Sequence, residues 1–162
     1  MRAVVQRVLQ AEVKVSDHPR LRGDKPAPAK AGVGKIDKGL LVYISVGKAD
    51  TEKDAEFIAE KLVNLRIFED EAGKMNRSLL DFGGRILLVS NFTLHGDCRK
   101  GRRPSFDAAA EPQLAQQLYE KVIELVAKQG VVVQKGAFGE YMQVSSINDG
   151  PVNFLLDSSR QF

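Results

Sequence analysis

Residues 90–97 are the first segment of the sequence with groups suited to chemistry. They read Ser-Asn-Phe-Thr-Leu-His-Gly-Asp and follow the apolar run at residues 86–89, so they lie where a buried strand emerges at the surface. The hydroxyls of Ser90 and Thr93 offer a nucleophile or hydrogen-bond donors, and successive main-chain N–H groups at a strand end can form an oxyanion hole. The alternative is that both hydroxyls only satisfy backbone groups, and taken alone the segment favours that structural role.

A second candidate is the turn sequence Asn-Asp-Gly-Pro-Val-Asn at residues 148–153, which separates two strand-like runs. The cis form of an X-Pro bond costs only about 0.5–1 kcal/mol. A strongly bent loop can therefore hold Gly150 and Pro151 in the cis form and project the Gly150 carbonyl outward. The alternative is an ordinary hairpin turn in which Gly150 supplies flexibility and Pro151 opens the next strand.

A third candidate is a cluster of cations, Arg99, Lys100, Arg102 and Arg103, immediately after the first segment. Phosphates attract such a patch without sequence specificity, and its position would place a nucleic-acid backbone beside the strand end. A solvated loop or a nuclear-import-like run is the alternative interpretation.

Other kinds of site find little support in the sequence. His95 and Cys98 lie three residues apart, but His18 is the only other histidine and no second cysteine completes a zinc site. Residues 32–34 (Gly-Val-Gly) lack the third glycine of a dinucleotide loop. A catalytic triad is also hard to build, because His95 follows Thr93 by two residues. We therefore predict neither a metal nor a cofactor, and expect any hydrolysis to depend on main-chain groups and the substrate.

The elements that position these candidates are predicted from the hydrophobic pattern. A capping box at residues 51–54 begins an amphipathic helix that reaches about residue 65, and a second helix runs from near Pro112 to Gly130. Apolar runs rich in β-branched residues predict strands at residues 3–8, 11–15, 39–46, 85–91, 131–134, 143–147 and 152–156. This order lacks regular β-α alternation. It predicts an α+β fold with a mixed, largely antiparallel sheet or partial barrel flanked by two main helices.

Length and composition predict one domain over residues 1–162, since the chain is 43% hydrophobic. Residues 16–38 combine prolines and basic residues with few large apolar groups, which predicts a surface insertion between two strands. The single cysteine, an N-terminus without a secretory apolar region and the lack of a membrane-length apolar run predict a cytoplasmic protein without a membrane role. The net charge of +3 permits a polyanionic partner without demanding one.

Two of these segments resemble the motifs of a known family, the D-aminoacyl-tRNA deacylases. Residues 90–94 resemble the family's Ser-Gln-Phe-Thr-Leu motif, and residues 148–153 resemble its Asn-X-Gly-Pro-Val-Thr motif. The resemblance runs nearly end to end, with further matches at residues 5–8, 73–76, 100–106 and 138–144. Asn91 stands where the family has Gln, Asn153 stands where it has Thr, and residues 16–38 lengthen a normally short loop.

The resemblance implies an enzyme that cleaves the ester between tRNA and a D-amino acid, or glycine mischarged on tRNA-Ala, in translational proofreading. It implies a homodimer in which residues 90–94 of one chain and Gly150-Pro151 of the other form each active site. The cis Gly150-Pro151 step would exclude L side chains. The implied site residues are Ser90, Phe92 and Thr93 for catalysis, Asn91, Met142, Gly150 and Pro151 for substrate binding and chiral selection, and Arg99, Lys100, Arg102 and Arg103 for tRNA.

Two rival functions are also consistent with the sequence. One is a non-catalytic nucleic-acid-binding dimer that uses the basic cluster and the basic insertion. The other is a related deacylase with relaxed rejection of L residues, acting on L-alanine mischarged on tRNA. We expect a deacylation assay with pure protein to distinguish the D-aminoacyl-tRNA deacylase from the binding dimer. The cis or trans state of Gly150-Pro151 should distinguish it from the deacylase with relaxed rejection of L residues.

Overall fold

Eight strands, three α-helices and one 3₁₀ helix form the part of the chain that this computed structural model describes, residues 1–15 and 33–161. The helices are α1 (Glu52–Asn64), α2 (Leu79–Phe82) and α3 (Pro112–Lys128), and the 3₁₀ helix is Phe92–His95. The strands are β1 (Arg2–Val15), β2 (Gly34–Ile36), β3 (Gly39–Ser45), β4 (Phe68–Glu69), β5 (Met75–Arg77), β6 (Arg85–Ser90), β7 (Val132–Lys135) and β8 (Met142–Asp157).

The main sheet is mixed, and β1 is its central strand. β1 pairs antiparallel with β8 along nearly its whole length, with β3 over residues 2–8 and with β2 over residues 11–13. β3 pairs parallel with β6, and β6 pairs parallel with β7. The parallel strands β3, β6 and β7 therefore end at the same edge of the sheet, which is where Ser45 and Ser90 lie.

Alternation along β3 and β6 divides the core in two, because successive strand residues point to opposite faces. One face packs Leu40, Val42, Ile44, Ile86 and Leu88 against α1 and α3. The other face buries Leu41, Leu87 and Val89 with Val8, Ala11, Val13 and Ile36. The second cluster lies inside the curled sheet, so the fold is a mixed α+β domain with a nearly closed, barrel-like sheet.

Gly39 allows β3 and β6 to approach closely at the start of their parallel pairing. A Cβ added at Gly39 would lie 1.9 Å from the carbonyl oxygen of Arg85, a distance that no side chain can occupy. Only glycine fits this register without moving one of the two strands.

The structure confirms α1 and α3 and corrects several other details of the prediction. Residues 3–8 and 11–15 belong to the single strand β1, and residues 143–147 and 152–156 belong to the single strand β8. Gly34–Ile36 forms β2, so the predicted insertion at residues 16–38 extends too far, and residues 16–32 lie outside the described part. The hairpin β4–β5 and the short helix α2 were not predicted. Across residues 1–15 and 33–161, no helix has both the length and the apolarity to span a bilayer.

Candidate active site

A cleft of about 860 Å³ opens at the edge of the sheet where the parallel strands end. Ser90, Asn91, Phe92 and Thr93 all line it, so the first half of the predicted segment 90–97 lies at this cleft. The remaining walls come from β3, the loop before α3, the start of α3, the segment before β8 and the start of β8. Their lining residues include Tyr43, Ser45, Phe106, Pro112, Phe138, Tyr141 and Met142.

Asn91 organises the start of the 3₁₀ helix by capping it. Its Oδ1 accepts hydrogen bonds from the Thr93 N–H at 3.2 Å and from Thr93 Oγ1 at 2.5 Å. The Thr93 hydroxyl is thus directed at an amide oxygen, which is too weak a base to activate a nucleophile. Asn91 has a clear structural role, although it departs from the glutamine of the family motif.

Aromatic and thioether groups give the cleft its apolar character. Phe92 is 56% exposed and packs edge-to-face on Phe106, with ring centroids 5.0 Å apart. Met142, at the start of β8, lies over Gly136, where an added Cβ would come within 2.7 Å of its sulfur. Met142 lines the cleft, and its role in substrate binding stays a prediction.

Ser45 and His95 form a buried polar pair behind the cleft. Ser45 Oγ lies 2.6 Å from His95 Nδ1 and 3.3 Å from the carbonyl oxygen of Phe92. Only 1% of Ser45 and 9% of His95 is exposed. Burial lowers the pKa of His95 below its ordinary value of 6.5, so the ring is neutral at pH 7.

The Gly150–Pro151 step lies in a bulge of β8, and the hairpin turn of the alternative interpretation is absent there. β8 pairs with β1 on both sides of residues 149–152, and these four residues stand opposite Arg7 alone. The Gly150–Pro151 peptide bond is cis and Gly150 has φ of 116°. Both residues are exposed, and the cleft lining drawn from the described residues includes neither of them.

Side chains of β1 and β8 hold the base of this bulge. Asn148 Nδ2 donates to the carbonyl oxygen of Arg7 at 2.8 Å, and Asn153 Nδ2 donates to Asn148 Oδ1 at 2.9 Å. Gln6 Nε2 in turn donates to Asn153 Oδ1 at 2.9 Å, and Arg7 Nε lies 3.0 Å from Asp149 Oδ2. Asn153, the second departure from the family motifs, therefore links the two strands beneath Gly150 and Pro151.

The basic cluster lies on an exposed loop that begins beside the cleft. Asp97 and Ser105 close the loop through two main-chain hydrogen bonds of 2.7 and 3.0 Å. Arg99 makes a bidentate contact with Asp97, at 2.9 and 2.7 Å, and this contact holds the pKa of Asp97 well below its usual range. Arg102 and Arg103 are exposed and make no ion pair with any residue of the described part.

No cluster that could bind a metal ion was found in the described part of the chain. Within residues 1–15 and 33–161, no three His, Cys, Asp or Glu side chains are grouped so that they could hold one. Cys98 is exposed and has a free thiol.

Comparison with known proteins identifies the family. Residues 4–157 match the family model described as D-Tyr-tRNA(Tyr) deacylase. The D-aminoacyl-tRNA deacylase of Thermosipho africanus is 51% identical over 162 residues, which cover 100% of both chains. The chain belongs to the D-aminoacyl-tRNA deacylase family. A member of this deacylase family from Fervidobacterium nodosum is 53% identical over the same full length.

Solved structures agree with the fold. A structure named c-Myc DNA Unwinding Element Binding Protein has a TM-score of 0.83 and 36% identity, and the match covers 97% of this chain and 98% of that one. A probable eukaryotic D-amino acid tRNA deacylase has a TM-score of 0.76 at 20% identity, with coverage of 96% and 97%. The second match supports the deacylase fold alone, because its identity is low.

Tyr43 and Ser45 are among the cleft residues that the sequence prediction missed in this deacylase family member. Both stand at alternate positions near the end of β3, within an otherwise apolar run. Two hydroxyl groups on one face of a strand end are the signal that could have found them, since alternate residues share a face. Burial raises the pKa of Tyr43.

We expect acid to destabilise the fold through His95. Burial and the positive charges of Arg2 and the Met1 amine lower its pKa, and the carboxylates of Asp50 and Asp157 oppose them. As the pH falls through 6.5, the unfolded chain binds a proton that the folded chain does not, so the free energy of unfolding decreases from there down to the folded pKa. One such proton changes it by at most about 1.4 kcal/mol per pH unit.

Urea denaturation at pH 7.5, 6.5 and 5.5 measures this effect. The His95→Asn variant serves as the control because it keeps a polar side chain that does not titrate. Its stability should change less than that of the natural chain between pH 6.5 and 5.5. An equal slope for the two proteins would contradict the assignment to His95.

Proposed function

We propose that this chain hydrolyses the ester bond of D-aminoacyl-tRNA, releasing tRNA and the D-amino acid, and that it acts in cytoplasmic proofreading of translation. The observation that carries the proposal is the cleft lined by residues 90–93, where the 3₁₀ helix begins and Phe92 exposes aromatic surface. Family membership supports the substrate class. Glycine mischarged on tRNA-Ala is a second substrate, because it too lacks an L side chain.

The proposed mechanism depends on positioning and on main-chain donors. Water adds to the ester carbonyl with help from the neighbouring ribose hydroxyl, and N–H groups near Phe92 and Thr93 stabilise the oxyanion. The Thr93 N–H already points to Asn91 Oδ1 at 3.2 Å, so this long bond must be shared with the substrate or exchanged for it. One oxyanion donor typically contributes about 10²–10³-fold in rate.

We expect Thr93→Ala to keep D-Tyr-tRNA deacylation within about tenfold of the natural rate, because the substitution leaves the main-chain N–H in place. Thr93→Ser is the matched control because it retains the hydroxyl. Single-turnover kinetics with rapid quenching measure the rate and detect any covalent intermediate. Direct attack of the Thr93 hydroxyl on the ester would be shown by an acyl group trapped on Thr93. It would also be shown by an inactive Thr93→Ala variant beside an active Thr93→Ser variant.

The proposal assigns chiral selection to the main chain of Gly150 and Pro151 contributed by a second copy of the chain. Two observations support this. Neither residue lines the cleft of its own chain, and β8 presents Ile147 and Leu155 to solvent with 48% and 61% exposure. A rigid main-chain obstacle can reject every L residue alike, because all L residues share one configuration at the α-carbon, whereas a side-chain pocket discriminates by size.

The proposal places the tRNA backbone on the basic loop. Arg99 is already engaged by Asp97, so Lys100, Arg102 and Arg103 carry most of the attraction for phosphates. The loop starts beside the cleft, which suits a substrate whose ester lies at the end of an RNA strand.

We expect the double variant Arg102→Gln, Arg103→Gln to bind tRNA more weakly and to show a flatter dependence of affinity on salt. Removal of one phosphate-binding cation should reduce the slope of log K against log salt by about 0.7–0.9. Lys121→Gln, Lys128→Gln on α3 is the matched control, because it removes the same charge from two lysines that are paired with Glu52 and Glu124. If the two double variants have the same tRNA affinity and the same salt dependence, the tRNA does not bind at the basic loop.

A second candidate function is nucleic-acid binding without catalysis. The observation in its favour is that the 36% identical structure is named c-Myc DNA Unwinding Element Binding Protein. Incubation of pure protein with D-Tyr-tRNA distinguishes the two candidates. Multiple turnovers support the deacylase, and stoichiometric binding without ester cleavage supports the binding protein.

A further inference from the structure

The buried pair Ser45 and His95 has no part in the mechanism described so far. The two residues lie 50 positions apart in the chain and meet at the buried end of the 3₁₀ helix, whose last residue is His95. Ser45 Oγ approaches both His95 Nδ1 and the carbonyl oxygen of Phe92, at 2.6 and 3.3 Å. A side-chain pair placed this close to the proposed oxyanion donors acts either on the substrate or on the main chain.

Direct attack on an ester does not fit the geometry of the pair. Ser45 is among the residues that line the cleft, but only 1% of it is exposed, so an ester carbon has little access to Oγ. The Ser45 hydroxyl has one proton to donate, and its two hydrogen-bond partners are the Phe92 carbonyl oxygen and His95 Nδ1. Because a carbonyl oxygen can only accept, the Ser45 hydroxyl donates to Phe92 and the His95 Nδ1–H donates to Ser45 Oγ.

The Phe92–Thr93 peptide connects this pair to the cleft. In a planar trans peptide the C=O and N–H groups point in opposite directions. The Phe92 oxygen accepts from Ser45 on the buried side, and the Thr93 N–H donates to Asn91 Oδ1 at 3.2 Å on the other. Hydrogen bonds at both ends therefore fix the orientation of one peptide plane.

We propose that His95 and Ser45 are positioning residues that orient the Thr93 N–H toward the substrate by holding the Phe92 carbonyl from behind. The inference rests on the proposed function, because it assigns the Thr93 N–H to the oxyanion. It adds two residues that touch no substrate and act through the main chain.

Gly47 leaves the space that the imidazole ring needs. A Cβ added at Gly47 would lie 3.0 Å from His95 Nε2 and 3.4 Å from Asp50 Oδ2. Asp50 also accepts from the Gly47 N–H at 2.5 Å, which holds this turn in place. The ring is therefore confined on the side away from Ser45, and its Nδ1 stays directed at the serine.

Steady-state kinetics with D-Tyr-tRNA test the proposal on the full chain. Ser45→Ala and His95→Leu should each lower kcat by about tenfold and leave KM within about twofold, because a displaced donor affects the transition state more than binding. His95→Asn should restore most of kcat, since its amide nitrogen can donate in place of Nδ1. The double variant Ser45→Ala, His95→Leu should be no slower than Ser45→Ala alone, because both residues act through one hydrogen-bond chain.

Three outcomes would overturn the proposal: natural kcat in Ser45→Ala, an effect confined to KM, or a His95→Asn variant as slow as His95→Leu. Amide hydrogen exchange of Thr93, measured by NMR in the natural chain and in Ser45→Ala, gives an independent readout. Faster exchange at Thr93 in the variant supports the positioning role, and equal rates contradict it. A natural protein that cleaves no D-Tyr-tRNA refutes the proposed function, and the exchange rates then decide the positioning role alone.

Discussion

Gly150→Ala is expected to lower D-Tyr-tRNA deacylation by at least about 100-fold, the penalty that a misplacement of about 1 Å can produce. Gly150 has φ of 116°, a conformation that L residues rarely adopt. An added Cβ would lie 2.6 Å from Val152 Cγ2 and 3.3 Å from Arg7 Nη2. The bulge must therefore move, and with it the main chain that we assign to chiral selection.

Gly73→Ala is the matched control for this variant. Gly73 also has positive φ, of 71°, but an added Cβ meets nothing within 4 Å there. The control therefore has the conformational cost of alanine at positive φ without the displacement, and it should keep its activity. A folded Gly150→Ala enzyme with natural rates on D-Tyr-tRNA and natural rejection of L-Tyr-tRNA would remove Gly150 from the site.

Leu155→Glu is expected to dissociate the proposed dimer into monomers. Deacylation should then fall by at least about 100-fold, as for Gly150→Ala. Among the described residues β8 pairs with β1 alone, and Leu155 is 61% exposed on it. An exposed edge strand that carries large apolar side chains is suited to burial against another chain. A carboxylate in that interface would be desolvated without a partner, so association should weaken strongly.

Leu80→Glu on α2 is the control, because Leu80 is an exposed leucine, at 39%, away from β8. Sedimentation velocity measures the oligomeric state, and the deacylation assay is run at the same protein concentrations. We expect an inactive monomer for Leu155→Glu and an active dimer for Leu80→Glu. A fully active monomer would show that one chain contains a complete site.

The sequence predicted the elements whose signals are local. The capping box and the spacing of Ile58 and Leu62 are properties of one helix, and α1 begins and ends close to the predicted bounds. The placement of residues 90–93 at a strand end also followed from the apolar run before them, and the structure confirms it.

The features that sequence reasoning missed depend on contacts between distant residues. A break at residues 148–151 looks the same in sequence whether the chain reverses or bulges outward, and pairing with β1 decides in favour of the bulge. Gly34–Ile36 is too short for a periodic pattern, and its pairing with β1 makes it a strand. The contact between Ser45 and His95 spans 50 residues, so no local pattern indicates it.

The two departures from the family motifs acquire a physical interpretation in the structure. Asn91 has the shorter side chain of the two amides, and its Oδ1 accepts from both the N–H and the hydroxyl of Thr93, two residues away. Asn153 bridges Gln6 and Asn148 beneath the bulge with two separate atoms, an acceptor oxygen and a donor nitrogen, where a threonine has one hydroxyl oxygen for both bonds. Both side chains therefore hydrogen-bond within the two segments that the proposed mechanism uses.

A main-chain selector that admits D residues and glycine and rejects L residues is the core of the proposed function. Its decisive test compares deacylation of D-Tyr-tRNA, glycyl-tRNA and L-Tyr-tRNA by the same pure preparation. We expect rapid cleavage of the D-Tyr and glycyl esters, with the L-Tyr ester hydrolysed at its spontaneous rate. Equal cleavage of the D-Tyr and L-Tyr esters would contradict a main-chain selector.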